Sequence, residues 1–96
     1  MRILVVNWLV EISHKLKMKP ETIFHGIHLL DMMLSAEKGI TLENLQLLAI
    51  SCLFVSSKYE EVYPPRVDLY SEVTDYTYSK KKIIDMEAAI LANCQF

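Results

Sequence analysis

Residues Leu45 to Val55 read LQLLAISCLFV, with only Gln46 and Ser51 interrupting the apolar side chains. A helix built from such a run is apolar around its whole circumference and has no face to offer water. The rest of the chain must wrap it. The run covers about half of the roughly 20 residues that a bilayer span requires, so it reads as the buried centre of a helical domain.

Apolar spacing elsewhere supplies the wrapping. The pattern divides the chain into about five helices joined by short polar turns, with no internal repeat and no strand. The first helix is expected from about Met1 to Leu16, with Met1, Val5, Trp8, Leu9, Ile12 and Leu16 on one arc. The β-branched run Ile3 to Val6 could be read as a strand, but the 3.6-residue pattern continues through Leu16 and favours helix. Pro20 pre-sets the first turn of a second helix, whose expected buried stripe is Ile23, Phe24, Ile27, Leu30 and Leu34. Gly39 breaks the chain, and Thr41 is placed to cap the central helix, expected over about 42–58.

That helix ends in Ser57-Lys58-Tyr59-Glu60-Glu61-Val62-Tyr63-Pro64-Pro65. The residue before a proline is driven from the helical region, and proline donates no backbone hydrogen bond, so Pro64 and Pro65 stop the helix. Lys58 therefore emerges where buried packing meets a rigid, charged corner suited to docking a partner. Pro65 is expected to open a short fourth helix carrying Val67, Leu69, Tyr70 and Val73, and Thr74 to Thr77 to turn. Ser79 then caps a last helix with Ile83, Ile84, Met86, Ile90 and Leu91 on a common face.

Composition narrows the function. The 96 residues suit one domain, 52% of them are apolar, and the formal charge of −2 gives no basic footprint for nucleic acid. Neither Cys52 nor Cys94 lies in a metal or redox motif, and both are expected to stay reduced in an intracellular compartment. No signal peptide or membrane span is expected. His25, His28 and Asp31 follow one another at three-residue intervals, but they spread toward different edges of their helix and no further ligand cluster supports a metal. Lys80-Lys81-Lys82 opposes the dipole of the last helix and reads as a solvated face, with contact to an acidic partner as the alternative. With no nucleophile elbow, phosphate-binding glycine loop or pair of catalytic acids, no enzyme, metal or cofactor is indicated.

Two carboxylates stand on apolar arcs. Asp31, flanked on the wheel by Phe24 and Ile27, either pairs with a cation, for which Arg2 at the edge of the first helix is placed, or reaches water at the rim of the stripe. Glu87 stands among Ile83, Ile84, Ile90 and Leu91, and Lys58 is its natural counter-ion; the alternative is that both remain solvated. The first helix also carries more apolar surface than one core needs. Leu4 and Glu11 lie along one flank, with Met1 and Trp8 at its boundary with the core arc. They outline a shallow groove for a short peptide bearing a basic and an apolar residue, or a face covered by a flanking helix.

The chain resembles the N-terminal cyclin box of A- and B-type cyclins. The resemblance is carried by Met1-Arg2-Ile3-Leu4-Val5-Val6-Asn7-Trp8-Leu9-Val10-Glu11, Lys19-Pro20-Glu21-Thr22, Leu30-Asp31-Met32-Met33-Leu34-Ser35, Leu45-Gln46-Leu47, Ser57-Lys58-Tyr59-Glu60-Glu61, Pro64-Pro65, Thr74-Asp75 and Met86-Glu87. It departs at Asn7, where the family usually has Asp, and at Met32-Met33, which replace Arg-Phe. The resemblance implies an all-α, five-helix cyclin fold over residues 1–96, lacking the helix that usually precedes this box and the second box that follows it. It further implies a regulatory subunit that binds and activates a cyclin-dependent Ser/Thr kinase in cell-cycle control and supplies no catalytic group.

By that resemblance Lys58, Tyr59 and Glu87 bind the kinase. Arg2 and Asp31 form a structural ion pair. Met1, Leu4, Trp8, Glu11, Leu45 and Gln46 form a docking groove for substrates or inhibitors containing Arg-x-Leu. The implied location is the nucleus, the cytoplasm or both, with no nucleic acid and no membrane as partner. The competing reading is a cyclin-fold adaptor in transcription that activates no kinase.

Overall fold

The computed structural model describes residues 2–36 and 42–94, with side-chain placement over 4–35 and 44–92. Five helices follow one another: α1 (Arg2–Lys15), α2 (Pro20–Ala36), α3 (Leu42–Glu60), α4 (Val67–Val73) and α5 (Lys80–Cys94), with no strand among the described residues. The chain is all-α. α3 touches each of the other four helices and meets α2 most extensively. The reason is in its sequence: Leu45, Leu48, Ala49, Ile50, Ser51, Cys52, Leu53, Phe54, Val55, Ser56 and Ser57 are all buried.

Four helices supply the surrounding layer. α1 buries Val5, Leu9 and Ile12, and α5 buries Ile83 and Ile90; Ile84, expected on the same face of α5, is instead exposed. Tyr70 comes in from α4, fully buried, with its ring edge against Phe54 at 5.1 Å between centroids. Its hydroxyl donates to Ser57 Oγ at 2.8 Å, and Ser57 Oγ donates to the Phe54 carbonyl at 2.7 Å. This chain of bonds fixes α4 to the last turns of α3. Burial pushes the Tyr70 phenol well above its ordinary pKa, against the opposing effect of its bond to Ser57.

The buried stripe of α2 differs from the sequence expectation. Phe24 is 70% exposed, while Thr22, Gly26, Leu29, Leu30 and Met33 are buried and Ile23, Ile27 and Leu34 lie between. α2 approaches α3 through its small residues: a Cβ at Gly26 would stand 3.2 Å from Ser56 Oγ and 3.5 Å from Leu53 Cα. Ser56 Oγ donates to the Thr22 carbonyl at 3.0 Å. Hydrophobicity nominated Phe24 for the core, but close backbone approach selected the neighbouring face.

Boundaries follow local chemistry. Glu61 N bonds to the Ser57 carbonyl at 2.9 Å, and α3 runs to Glu60, so Lys58 sits in its last turn rather than at its end. α4 begins at Val67, two residues beyond Pro65, because Arg66 holds the extended conformation of an N-cap. Asp75 and Tyr76 turn with φ of 52° and 59°, and Ser79 Oγ accepts from Lys82 N at 3.3 Å to cap α5. The expected break at Gly39 and cap at Thr41 lie outside the described residues.

A clasp joins the end of α3 to the start of α2. Glu61 Oε2 accepts from Lys19 N at 3.0 Å and from the Thr22 hydroxyl, and Lys19 Nζ donates to the Glu60 carbonyl at 3.2 Å. The bond from Thr22 does most to hold the Glu61 carboxyl below its ordinary pKa, partly opposed by desolvation and helped by Lys19. Beside it, His25 Nδ1 lies 3.3 Å from Glu60 Oε1.

Candidate partner-binding surface

α3 and α5 meet with Lys58 in the last turn of one and Glu87 midway along the other. Lys58 Nζ donates to Glu87 Oε2, so residues separated by 29 positions form one ion pair. The lysine side chain is 46% exposed and the glutamate 13%. Most of the carboxylate is shielded from water, and Lys58 sets a counter-ion directly against it. Lys58 Nζ also stands 4.4 Å from the centroid of the Phe54 ring. An ammonium carries three donors, and with one spent on Glu87 the others remain for partner acceptors.

Tyr59 follows on the outer side, 56% exposed, with its ring 6.3 Å from that of His25. Lys58, Tyr59 and Glu87 thus display a positive group, an aromatic ring and a nearly buried acid at one corner. Phe54, itself packed against Tyr70, forms the apolar floor beneath Lys58. Sequence reading missed Phe54, although its position one turn before Lys58 puts the two side chains on one helix face.

The groove residues do not all share one surface. Leu4, Trp8 and Glu11 share a face of α1; Leu4 and Glu11 are exposed and Trp8 is half-buried. Trp8 and Gln46 line one depression of about 200 Å³ with Val73, Thr74, Asp75, Thr77 and Tyr78. The Tyr78 hydroxyl donates to Gln46 Oε1 at 3.3 Å. Leu45 is only 4% exposed and belongs to the core, so it offers a ligand little surface. Met1 lies outside the described residues. Asp75 was not foreseen as a neighbour of Trp8, since only the turn after α4 brings it there.

Asp31 is half-buried, at the rim of the observed α2 stripe, while the side chain of Arg2, its expected partner, lies outside the described residues. No cluster of three or more His, Cys, Asp or Glu among the described residues could hold a metal ion. Lys80, Lys81 and Lys82 are exposed, and Lys80 Nζ lies 2.9 Å from Asp68 Oδ1, whose carboxyl it holds below the ordinary aspartate pKa. Among the described residues no helix is long and apolar enough to cross a membrane.

Known proteins match the sequence of this chain along its whole length. The family model for the cyclin N-terminal domain covers residues 1–96. The chain is 42% identical over 96 residues to the G2/mitotic-specific cyclin-B of Emericella nidulans, covering 100% of the chain and 20% of that protein. It is 44% identical over all 96 residues to the G2/mitotic-specific cyclin-B1 of Caenorhabditis elegans, covering 26% of that protein. To Cyclin-A1-4 of Oryza sativa subsp. japonica it is 38% identical, covering the whole chain and 27% of that protein. The chain therefore spans between 20% and 27% of the length of these three relatives. With the family model matching from end to end and A- and B-type cyclins among its relatives, this five-helix chain belongs to the cyclin family.

Proposed function

We propose that this chain is the kinase-binding part of a cyclin, a regulatory subunit that binds and activates a cyclin-dependent Ser/Thr kinase in cell-cycle control. One observation carries the reading: the Lys58–Glu87 pair lies across the junction of α3 and α5, with the ammonium half exposed above an apolar floor. An ion pair with a half-exposed member contributes little to stability, so charges set here are better explained by recognition. The chain supplies polar contacts and a rigid helical surface, and the kinase supplies the chemistry. Binding would shift the kinase population toward the form in which its regulatory helix is seated and its ATP-site lysine is paired.

In the same reading, Trp8 and Gln46 form the base of the docking site for Arg-x-Leu segments of substrates or inhibitors, and Glu11 receives the arginine. The complex would act in the nucleus, the cytoplasm or both.

Calorimetric titration with a purified monomeric cyclin-dependent kinase is the test. Lys58→Ala and Glu87→Ala should each weaken binding by at least about 2 kcal/mol while the far-UV circular dichroism keeps its helical form. Full affinity in both folded variants would remove this surface from consideration. Failure of the folded parent chain to bind any such kinase would favour an adaptor that activates none.

A further inference from the structure

The contact between Lys58 and Phe54 goes beyond the ion pair. Phe54 is 5% exposed and packed edge-on against Tyr70, so its ring is held by the core and cannot swing away without disturbing it. Its face lies 4.4 Å from Lys58 Nζ, within the distance at which an aromatic quadrupole attracts an ammonium. Glu87, on another helix, holds the same nitrogen from a second direction. Two restraints of different chemistry, one fixed in the core and one at the surface, act on a side chain with four rotatable bonds.

We infer that Phe54 is a positioning residue for partner binding: its ring holds the Lys58 ammonium beside Glu87 in the free chain, so that little side-chain entropy is lost when a kinase engages it. This rests on the kinase-binding reading of Lys58. The physical reason is pre-organisation, since fixing a long, rotamer-rich side chain at an interface otherwise opposes association. An aliphatic residue at position 54 would fill the core and leave Lys58 tethered by Glu87 alone. The effect should therefore be specific to the π face rather than to volume.

Two measurements test it on the full chain. In proton NMR of the free chain, the Lys58 ε-methylene resonances should lie upfield from the ring current of Phe54 and return to ordinary positions in Phe54→Leu. In kinase titrations, Phe54→Leu should weaken binding roughly two- to fivefold, the range for a half-exposed cation over a ring, and should add nothing in a Lys58→Ala background. Should Phe54→Leu lose helicity, stepwise fluorination of the phenylalanine at position 54 keeps the ring in place while draining its quadrupole, and affinity should fall with each fluorine.

Equal losses from Phe54→Leu with and without Lys58, or affinity indifferent to fluorination, would overturn the inference while leaving Lys58 as a kinase contact. Unchanged affinity in folded Lys58→Ala would overturn both the contact and the positioning role.

Discussion

Replacing Ser57 and Tyr70 singly and together tests how the end of α3 is fixed to α4. Tyr70→Phe removes one buried hydroxyl donor, but Ser57 Oγ keeps its 2.7 Å bond to the Phe54 carbonyl, so nothing is left wholly unpaired. The cost should be that of an ordinary intramolecular hydrogen bond, about 1 kcal/mol. Ser57→Ala differs because it strands the Tyr70 O–H, a donor in a fully buried side chain, without an acceptor. That desolvation penalty is about 2 kcal/mol, and the better helix propensity of alanine recovers roughly 0.5, leaving a net loss of about 1.5 kcal/mol.

The double variant carries neither the donor nor its acceptor. Its loss should be only about 0.5 kcal/mol, because replacing both partners by apolar groups is nearly neutral, which makes the coupling about 2 kcal/mol. Urea unfolding followed by circular dichroism at the helix band reads all four free energies, provided the denaturant slope stays constant across the set. Additive effects within about 0.5 kcal/mol would refute the reasoning, since residues in one hydrogen-bond chain cannot behave as independent sites.

The Glu61 clasp predicts a pH effect. Its folded pKa is depressed below the ordinary 4.5, so its contribution is complete above that value and declines as pH falls through the depressed one. Glu61→Gln should therefore reduce stability at neutral pH and flatten the loss between neutral and acid pH; an unchanged acid slope in denaturant titrations would count against the clasp. At Gly26, alanine should be close to neutral, with a helix gain of about 1 kcal/mol set against moving Ser56 Oγ from a 3.2 Å contact. Gly26→Val should instead cost about 1–3 kcal/mol by overpacking, and a thermal melt showing no loss would mean that α2 and α3 are not so close. Glu11→Ala should weaken an Arg-x-Leu peptide by roughly tenfold, as loss of a charge-assisted bond implies, while leaving a peptide without arginine unaffected in fluorescence anisotropy. Equal binding of the arginine peptide to both forms would move its contact elsewhere, with Asp75 the next carboxylate to test.

The sequence by itself determined the five helices and which one lies at the centre. LQLLAISCLFV has no polar face, so every arrangement of this chain must enclose it, and Pro64-Pro65 ends it wherever the rest of the chain lies. Ser79 and the turn after α4 were equally legible, because caps and turns depend on residues only a few positions apart. Tertiary structure alone decided which of two adjacent faces α2 would bury: closeness at Gly26 outweighed the greater hydrophobicity of Phe24. It also buried Leu45 in the core rather than leaving it on the groove surface, and brought Glu61 to Thr22 across 39 positions of chain. Periodicity orders the faces of a single helix, whereas burial and ion pairing depend on the distance between helices, and that distance is set by the packed side chains of the whole domain.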